Sequence, residues 1–597
     1  MPLSVGAFFF AFLPLLFAQS VSTDGRNPLL PEGVALTDMK DRTVIDQRVR
    51  RFVLPQKILW KSDQGIAEEQ KVLEPTFGQT STASMNSGFL MEYKADQQPG
   101  GILLDFGAQI HGGIRLETRN LVDAKVGVGK TVRVRVRFGE SADEAMSEID
   151  EKGSMNDHSI RDMIVTVPWL GAIEFGETAF RFVRLDLVDT GTAVRFDSVR
   201  AVFTYRDLPW LGSFQCNDER LNTIWRTAVH TQHLNLQGYV IEGAKRDRLV
   251  WYGDIHPQTM TTLAVWGAPD VLKNTLGDYA RKTWPLPKWM NGMPNYSLWW
   301  LISVSDVYMY TGDLAWLKEQ HEYIRGLFNQ LKPCVAENGK ASFPNPFLDW
   351  PTAGNKPALE AGTHAMFILA FKHIVDLAND LGDEPLKKEA YEMVHKVLKF
   401  EPDNVGNKQA AALIGLTDFG LDESHADVVA KDGPKGFSTF YGYYMLEALA
   451  EVDRRQLAVD IIRQYWGGMI DRGATTFWED FDLDWLDGSG RIDTVTPKGT
   501  KSLHGDYGAH CYIGFRHSLC HGWASGPAPW LSRHVLGIMP IEPGFKKTTV
   551  TPFLGDLDWV EGTFPTPKGV IKVRHEKQAD GGIKTTVEAP EGIEIVR

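Results

Sequence analysis

The hydrophobic period of this chain changes twice along its length, and that limits the folds open to it. From about residue 88 to 205 it reads as strands. Residues 131–138 (TVRVRVRF) alternate strictly between apolar or β-branched and basic residues, and residues 180–187 (FRFVRLDL) do the same. That is the period-2 signature of half-exposed strands. Gly-rich turns separate such runs, so the region is expected to be a β-sandwich. From about 212 to 540 the spacing becomes helical. Leu221, Ile224, Trp225, Ala228 and Val229 share one face, as do Trp316, Leu317, Ile324, Leu327 and Leu331. Stretches near 359–382, 385–400, 437–452 and 454–470 read similarly. Gly312 and Asp313 form a stop-start pair, in which Gly ends one helix and Asp caps the next. About ten to twelve helices of ordinary length fit this span, which predicts a closed ring of six hairpins, an (α/α)6 barrel. From about 540 strand and turn composition returns. The expected fold class is multidomain β + α, with an N-terminal β-sandwich (21–210), a central (α/α)6 barrel (211–539) and a small C-terminal β-sandwich (540–597).

Residues 5–18 (VGAFFFAFLPLLFA) are apolar but too short to cross a bilayer, and Ala18-Gln19-Ser20 follows as a cleavage pattern. Residues 1–20 therefore predict a signal peptide and a secreted, extracellular protein with no membrane segment after cleavage. Its oligomeric state is expected to be monomer or homodimer. Export allows disulfides among Cys216, Cys334, Cys511 and Cys520, although sequence does not pair them. One glycosylation sequon, Asn295-Tyr296-Ser297, sits beside Trp299 and Trp300, a setting that suits burial. With 76 acidic against 63 basic residues and a net charge of −13, the chain lacks the basic footprint of a nucleic-acid binder. Gly127-Val128-Gly129-Lys130-Thr131 imitates the tail of a phosphate loop. Ala124 replaces its first Gly, however, and a strand follows where a helix should begin.

Two segments carry chemistry. Residues 242–254 (EGAKRDRLVWYGD) crowd three carboxylates, three cations and Trp251 into a loop with two Gly, and residues 473–480 (GATTFWED) place Glu479 directly after Trp478. Carboxylate-bearing loops beside Trp on a helical barrel suit glycoside hydrolysis, which needs one acid for the leaving oxygen and one base for water. A structural ion cluster on the barrel rim is the other reading of the same residues.

The chain resembles the α-L-rhamnosidases of glycoside hydrolase family 78. The likeness runs from Asp105-Phe106-Gly107 and Gly139-Glu140-Ser141 through residues 212–225 (GSFQCNDERLNTIW) to the C-terminal strands, nearly the whole mature chain. The family's loop reads roughly D-C-P-x-R-D-E-R-x-G-W-x-G-D, with its Glu as general acid. Here Arg246, Asp247, Arg248, Trp251, Gly253 and Asp254 match, the loop is one residue shorter, and that Glu is absent. The resemblance makes Asp247 the substitute acid and puts Glu242 in place of the opening Asp. The family's A-T-T-x-W-E matches residues 474–479, which implies Glu479 as the base. Residues 518–521 (SLCH) resemble its S-L-N-H, whose His contacts the sugar. Tyr296 and Asp349-Trp350 fall where the family places walls around rhamnose, and residues 480–500 form an extra loop.

The expected site thus has Asp247 and Glu479 as catalytic pair, with Glu242, Arg246, Trp251, Asp254, Tyr296, Asp349, Trp350, Trp478 and His521 around the sugar. Arg246 and Arg248 flank Asp247 and would depress a pKa that an acid needs raised. In an extended segment the arginines would point away from it; Asp254 and Glu242 are the other candidate acids. Family membership implies inversion, with the two carboxyls about 6.5–9.5 Å apart. His504, His510, His517 and His521 invite a metal reading, but the H-E-x-x-H pattern fails, so neither metal nor cofactor is expected. The expected function is a secreted exo-acting α-L-rhamnosidase acting on a glycan or glycoside. The alternatives are a fucosidase or unsaturated glucuronyl hydrolase on the same barrel, or a sugar-binding protein without turnover.

Overall fold

The computed structural model describes residues 46–76, 87–122, 131–157, 160–421, 423–510 and 512–596. The leader, residues 127–130 of the phosphate-loop imitation and Cys511 lie outside the described residues. The compact unit spans Arg48–Arg597.

Its first part is a nine-stranded sheet in which every pair is antiparallel. Long strands Gly101–Val122, Gly171–Leu187 and Thr192–Arg206 run through its middle. The first shifts register twice, and Gly112 lies at one break, where φ is 147° and a Cβ would stand 1.9 Å from the Val202 carbonyl oxygen. Strand Thr131–Gly139 begins as the sequence predicts, with Val132, Val134 and Val136 buried and Thr131 and Arg133 exposed. The expectation of a half-exposed strand fails for residues 180–187, where only Arg184 is more than slightly exposed. Both faces are covered, and the charges between them are paired. Arg181 holds Asp105 with two bonds of 2.8 and 2.9 Å and reaches the Gly473 carbonyl, and Asp186 meets buried Arg137 at 2.7 Å. Alternation with Arg and Asp marked paired buried positions as readily as solvated ones.

The helical part follows the period closely. The two predicted apolar faces are buried on helices Glu219–Asn235 and Leu314–Leu331. Gly312 ends the preceding helix in the left-handed region at φ 62°, and the Asp313 side chain accepts from Trp316 N–H at 3.0 Å. Helices Ile255–Trp266, Pro294–Thr311, Lys356–Leu381, Lys408–Gly415, Gly442–Glu451 and Pro527–His534 pack each on the next, and the last returns to the first. Ile255–Trp266 is buried all round, as a helix inside such a ring must be. Glu384–Val397 carries a polar outer face instead.

The chain closes on two small sheets. One orders Ser213–Cys216, Trp559–Thr566, Gly569–Lys577 and Ile583–Glu588, so it recruits a strand from ahead of the helices. The other joins Ile538–Pro540, Lys547–Val550 and Glu594–Val596, the last pair parallel. Cys216, Cys334 and Cys520 are free thiols. Asn295 is buried; its amide donates to Thr363 Oγ1 at 3.0 Å and accepts from Phe347 N–H at 3.0 Å.

Candidate active site

Several candidate residues stand at or just ahead of the N-terminal ends of helices. Asp254 immediately precedes Ile255–Trp266, Tyr296 is the third residue of Pro294–Thr311, Asp349-Trp350 leads toward Lys356–Leu381, and His521 leads toward Pro527–His534. Dipole ends at these N-termini favour negative charge.

Three strand-like segments meet there. Residues 518–522 lie between 242–244 and 477–479. Gly522 N–H donates to the Glu242 carbonyl at 2.7 Å and Ala244 N–H to the Cys520 carbonyl at 3.2 Å. On the other side His521 N–H donates to Phe477 at 3.0 Å and Glu479 N–H to Ser518 at 2.9 Å. The segments bearing Glu242 and Glu479 thus flank residues 518–522 on opposite sides, Glu242 opposite Gly522 and Glu479 opposite Ser518.

Glu479 is buried and surrounded by donors. Arg246 Nη2 reaches its two oxygens at 2.5 and 2.6 Å, and Ser518 N–H donates to Oε2 at 3.0 Å. His521 Nε2 stands 4.0 Å from Oε1, over Trp523. Burial and the Arg246 charge hold the His521 imidazole well below its usual pKa, so it is neutral there.

The 242–254 loop is unlike this. Glu242 is buried. Its Oε2 accepts from Leu249 N–H at 2.8 Å, while Oε1 has no hydrogen-bond partner among the described residues. Desolvation, with Asp254 and Asp247 adding negative charge, pushes Glu242 well above the usual carboxylate range. Asp254 is raised in the same way, by burial and then by Glu479, Asp247 and Asp349, against the pull of the Tyr296 hydroxyl at 2.9 Å. Asp247 does not sit in an extended segment. It and Arg248 are left-handed, at φ 56° and 52°, so the shortened loop turns tightly. Arg248 leaves outward to the Glu177 carbonyl at 2.7 Å, but Arg246 stays, with Nη1 3.1 Å from Asp247 Oδ2.

The aromatic candidates divide. Trp251 meets Tyr296 edge-on at 6.1 Å, and the Tyr296 ring lies so close over Gly253 that a Cβ there would be 2.0 Å from it. Trp350 is half-buried, meets Phe347 edge-on at 5.1 Å and stacks toward His510 at 6.4 Å. Asp349 is buried beneath it, capping Trp350 N–H at 2.8 Å and accepting from Ser438 Oγ at 2.5 Å; burial pushes it up to about 7. Trp478 packs into the helical core, 1% exposed, edge-on to Phe481 at 5.4 Å.

Sequence reasoning passed over Ser518 as a donor to Glu479 and over Lys245. The four His separate: His504 bonds Ser141, His517 accepts from Asp480 N–H, and His510 lies beside Trp350. Glu140, Glu144 and His504 do converge as metal ligands would, but the Lys245 ammonium stands 3.2 and 3.1 Å from the two carboxylates, so the cation there is the chain's own.

The bacterial α-L-rhamnosidase six-hairpin glycosidase domain matches residues 209–401, and the bacterial α-L-rhamnosidase C-terminal domain matches residues 537–596. In both domains the chain resembles the α-L-rhamnosidases. An α-L-rhamnosidase of Alteromonas sp. (strain LOR) is 26% identical over 510 residues, covering 76% of this chain and 52% of that protein. The chain spans about half the length of the curated α-L-rhamnosidases it matches. Among solved structures, the family 78 rhamnosidase of Bacillus sp. GL1 superposes with a TM-score of 0.66 at 19% identity, covering 88% of this chain and 55% of that one. A Klebsiella oxytoca rhamnosidase with rhamnose bound gives 0.62 at 17% identity, covering 81% and 96%.

Proposed function

We propose that this protein is a secreted, exo-acting α-L-rhamnosidase that removes terminal rhamnose with inversion, on an (α/α)6 barrel flanked by N- and C-terminal β-sandwiches. The observation that carries the reading is the pairing of a donor-bound Glu479 with desolvated carboxyls across residues 518–522. Glu479 takes a proton from water as the water attacks the anomeric carbon, and a carboxylic acid of the 242–254 loop protonates the departing oxygen. Inversion, which needs carboxyls far enough apart to admit that water, is what the resemblance to family 78 implies. Arg246 orients Glu479. Asp254, Tyr296, Trp251, Trp350 and His521 surround the sugar, and action on a chain end is what the resemblance to family 78 implies.

Two carboxyls compete for the role of acid, each with its own support. Asp247 stands next to the place of the missing family Glu, one residue after Arg246. Glu242 has the environment of an acid: a raised pKa and an oxygen free to donate. The test is hydrolysis of p-nitrophenyl α-L-rhamnoside and of a rhamnoside with a poor leaving group by wild type, E479Q, E242Q and D247N. Collapse in E479Q with both substrates supports the base. The true acid variant loses most on the poor leaving group and least on nitrophenol. Wild-type turnover of fucosides in place of rhamnosides, or binding without turnover of either, would overturn the reading.

A further inference from the structure

Glu140 follows strand Thr131–Gly139 and so belongs to the sheet region, yet its carboxylate is buried beneath the candidate site. Four groups converge on it and all are donors: Leu519 N–H at 2.6 Å, the Gln109 side-chain amide at 2.6 Å, the Lys245 ammonium at 3.2 Å and the Ser518 hydroxyl at 3.4 Å. Only a group that accepts at both oxygens satisfies such a ring.

Two of these donors lead directly to Glu479. Ser518 gives its own N–H to Glu479 Oε2 at 3.0 Å. Lys245 precedes Arg246, which grips both Glu479 oxygens, and Lys245 also donates to the Phe515 and His517 carbonyls at 2.8 and 2.7 Å. One buried carboxylate therefore ties together the two segments from which Glu479 receives its donors.

We propose that Glu140 is a positioning residue for the catalytic base: from the sheet region it fixes residues 515–519 and the Lys245-Arg246 turn, so that the Ser518 amide and the Arg246 guanidinium both face Glu479. This rests on the reading of Glu479 as base. Burial pushes Glu140 up to about 7, with Lys245 pulling it down and Glu144 adding to the rise, so its carboxylate form depends on these donors.

The test is the pH profile of kcat/KM for E140Q, beside E144Q and E479Q. Gln keeps the shape but turns an NH2 toward groups that are themselves donors. Expected for E140Q is a kcat lower by about tenfold to a hundredfold with little change in KM. Its acidic limb moves up by about one pH unit, because Glu479 no longer has the Ser518 amide held against it. Glu144 accepts from Lys245 and from the Glu140 N–H but touches no residue of 518–519, so E144Q loses thermal stability and moves the limb less than E140Q does. An E140Q enzyme with a lower Tm but the wild-type kcat and limb makes Glu140 structural only and overturns the proposal. Should E140Q not fold, Glu140→Asp keeps the charge near Lys245 and withdraws from Leu519; the same limb shift is expected, and an unmoved limb overturns the proposal equally. If E479Q retains wild-type kcat, the base assignment itself has failed, whatever Glu140 does.

Discussion

The two walls of the cleft hold carboxyl groups in opposite ways. Glu479 is met by a guanidinium with two short bonds and by a backbone amide, an arrangement made for a carboxylate. Across residues 518–522, Glu242 and Asp254 are equally buried but have few donors, and each is pushed upward by that burial, with its neighbours' charge adding to the rise. Burial alone therefore decides nothing about a carboxyl's task. The number of donors supplied with the burial does, and under the proposed roles it lets one small site hold a base and an acid at the same pH.

The largest effect that would break this contrast is on the donor-rich wall. E479Q should lose about 10³-fold in kcat on p-nitrophenyl α-L-rhamnoside. Retention of a tenth of the activity would end the assignment. On the other wall, E242Q should lose about 10²-fold on a rhamnoside with a poor leaving group and clearly less on nitrophenol. If D247N shows that pattern and E242Q does not, the acid is Asp247, beside the missing family Glu, and the contrast must be redrawn around Arg246.

Stability against pH sharpens it further. Glu242 and Asp254 have folded-state pKa values above their unfolded ones. Their contribution is therefore fully present below the unfolded values, near 4, and is lost as pH rises through the raised folded values. E242Q should flatten part of that alkaline decline in thermal unfolding followed across pH; an unchanged slope would show that Glu242 is not the desolvated group. The smallest effect concerns Gly253. G253A forces the Tyr296 ring aside and should destabilise the protein by about 1–3 kcal/mol in urea unfolding. A neutral result would mean that Tyr296 has room to move and is not fixed over the loop.

Much of the fold was legible because its signals are local. The faces of Glu219–Asn235 and Leu314–Leu331 and the Gly312-Asp313 junction each needed only residues within a turn of one another. The interior of residues 180–187 was not legible, because Arg181 and Asp186 find partners in Asp105 and Arg137, far away in sequence. The site divides likewise. The motif around residues 474–479 marked Glu479, and the 242–254 loop was plain as a charged turn. Asp247 and Arg248 are left-handed in that loop, so side chains expected on opposite faces stay in contact at Arg246 and Asp247. Trp478 shows a limit of adjacency: standing next to a catalytic candidate in sequence placed it in the core against Phe481. Glu140 appeared in the sequence only as part of a shared tripeptide, since its partners at 245, 518 and 519 are brought to it by the tertiary fold.

Buried Asn295 has a consequence for making the protein. Its sequon is read during translocation in a eukaryotic secretory host, before the helix that hides it has packed. A glycan added then would sit where Thr363 and Phe347 must later bond, so the modified fraction would be kept from its native state. Mutating Asn295 to avoid this sacrifices both bonds, whereas replacing Ser297 removes the acceptor signal for the loss of one, the 3.0 Å bond it accepts from Met290 N–H. A yeast producer should therefore carry its change at Ser297, and a bacterial one needs none.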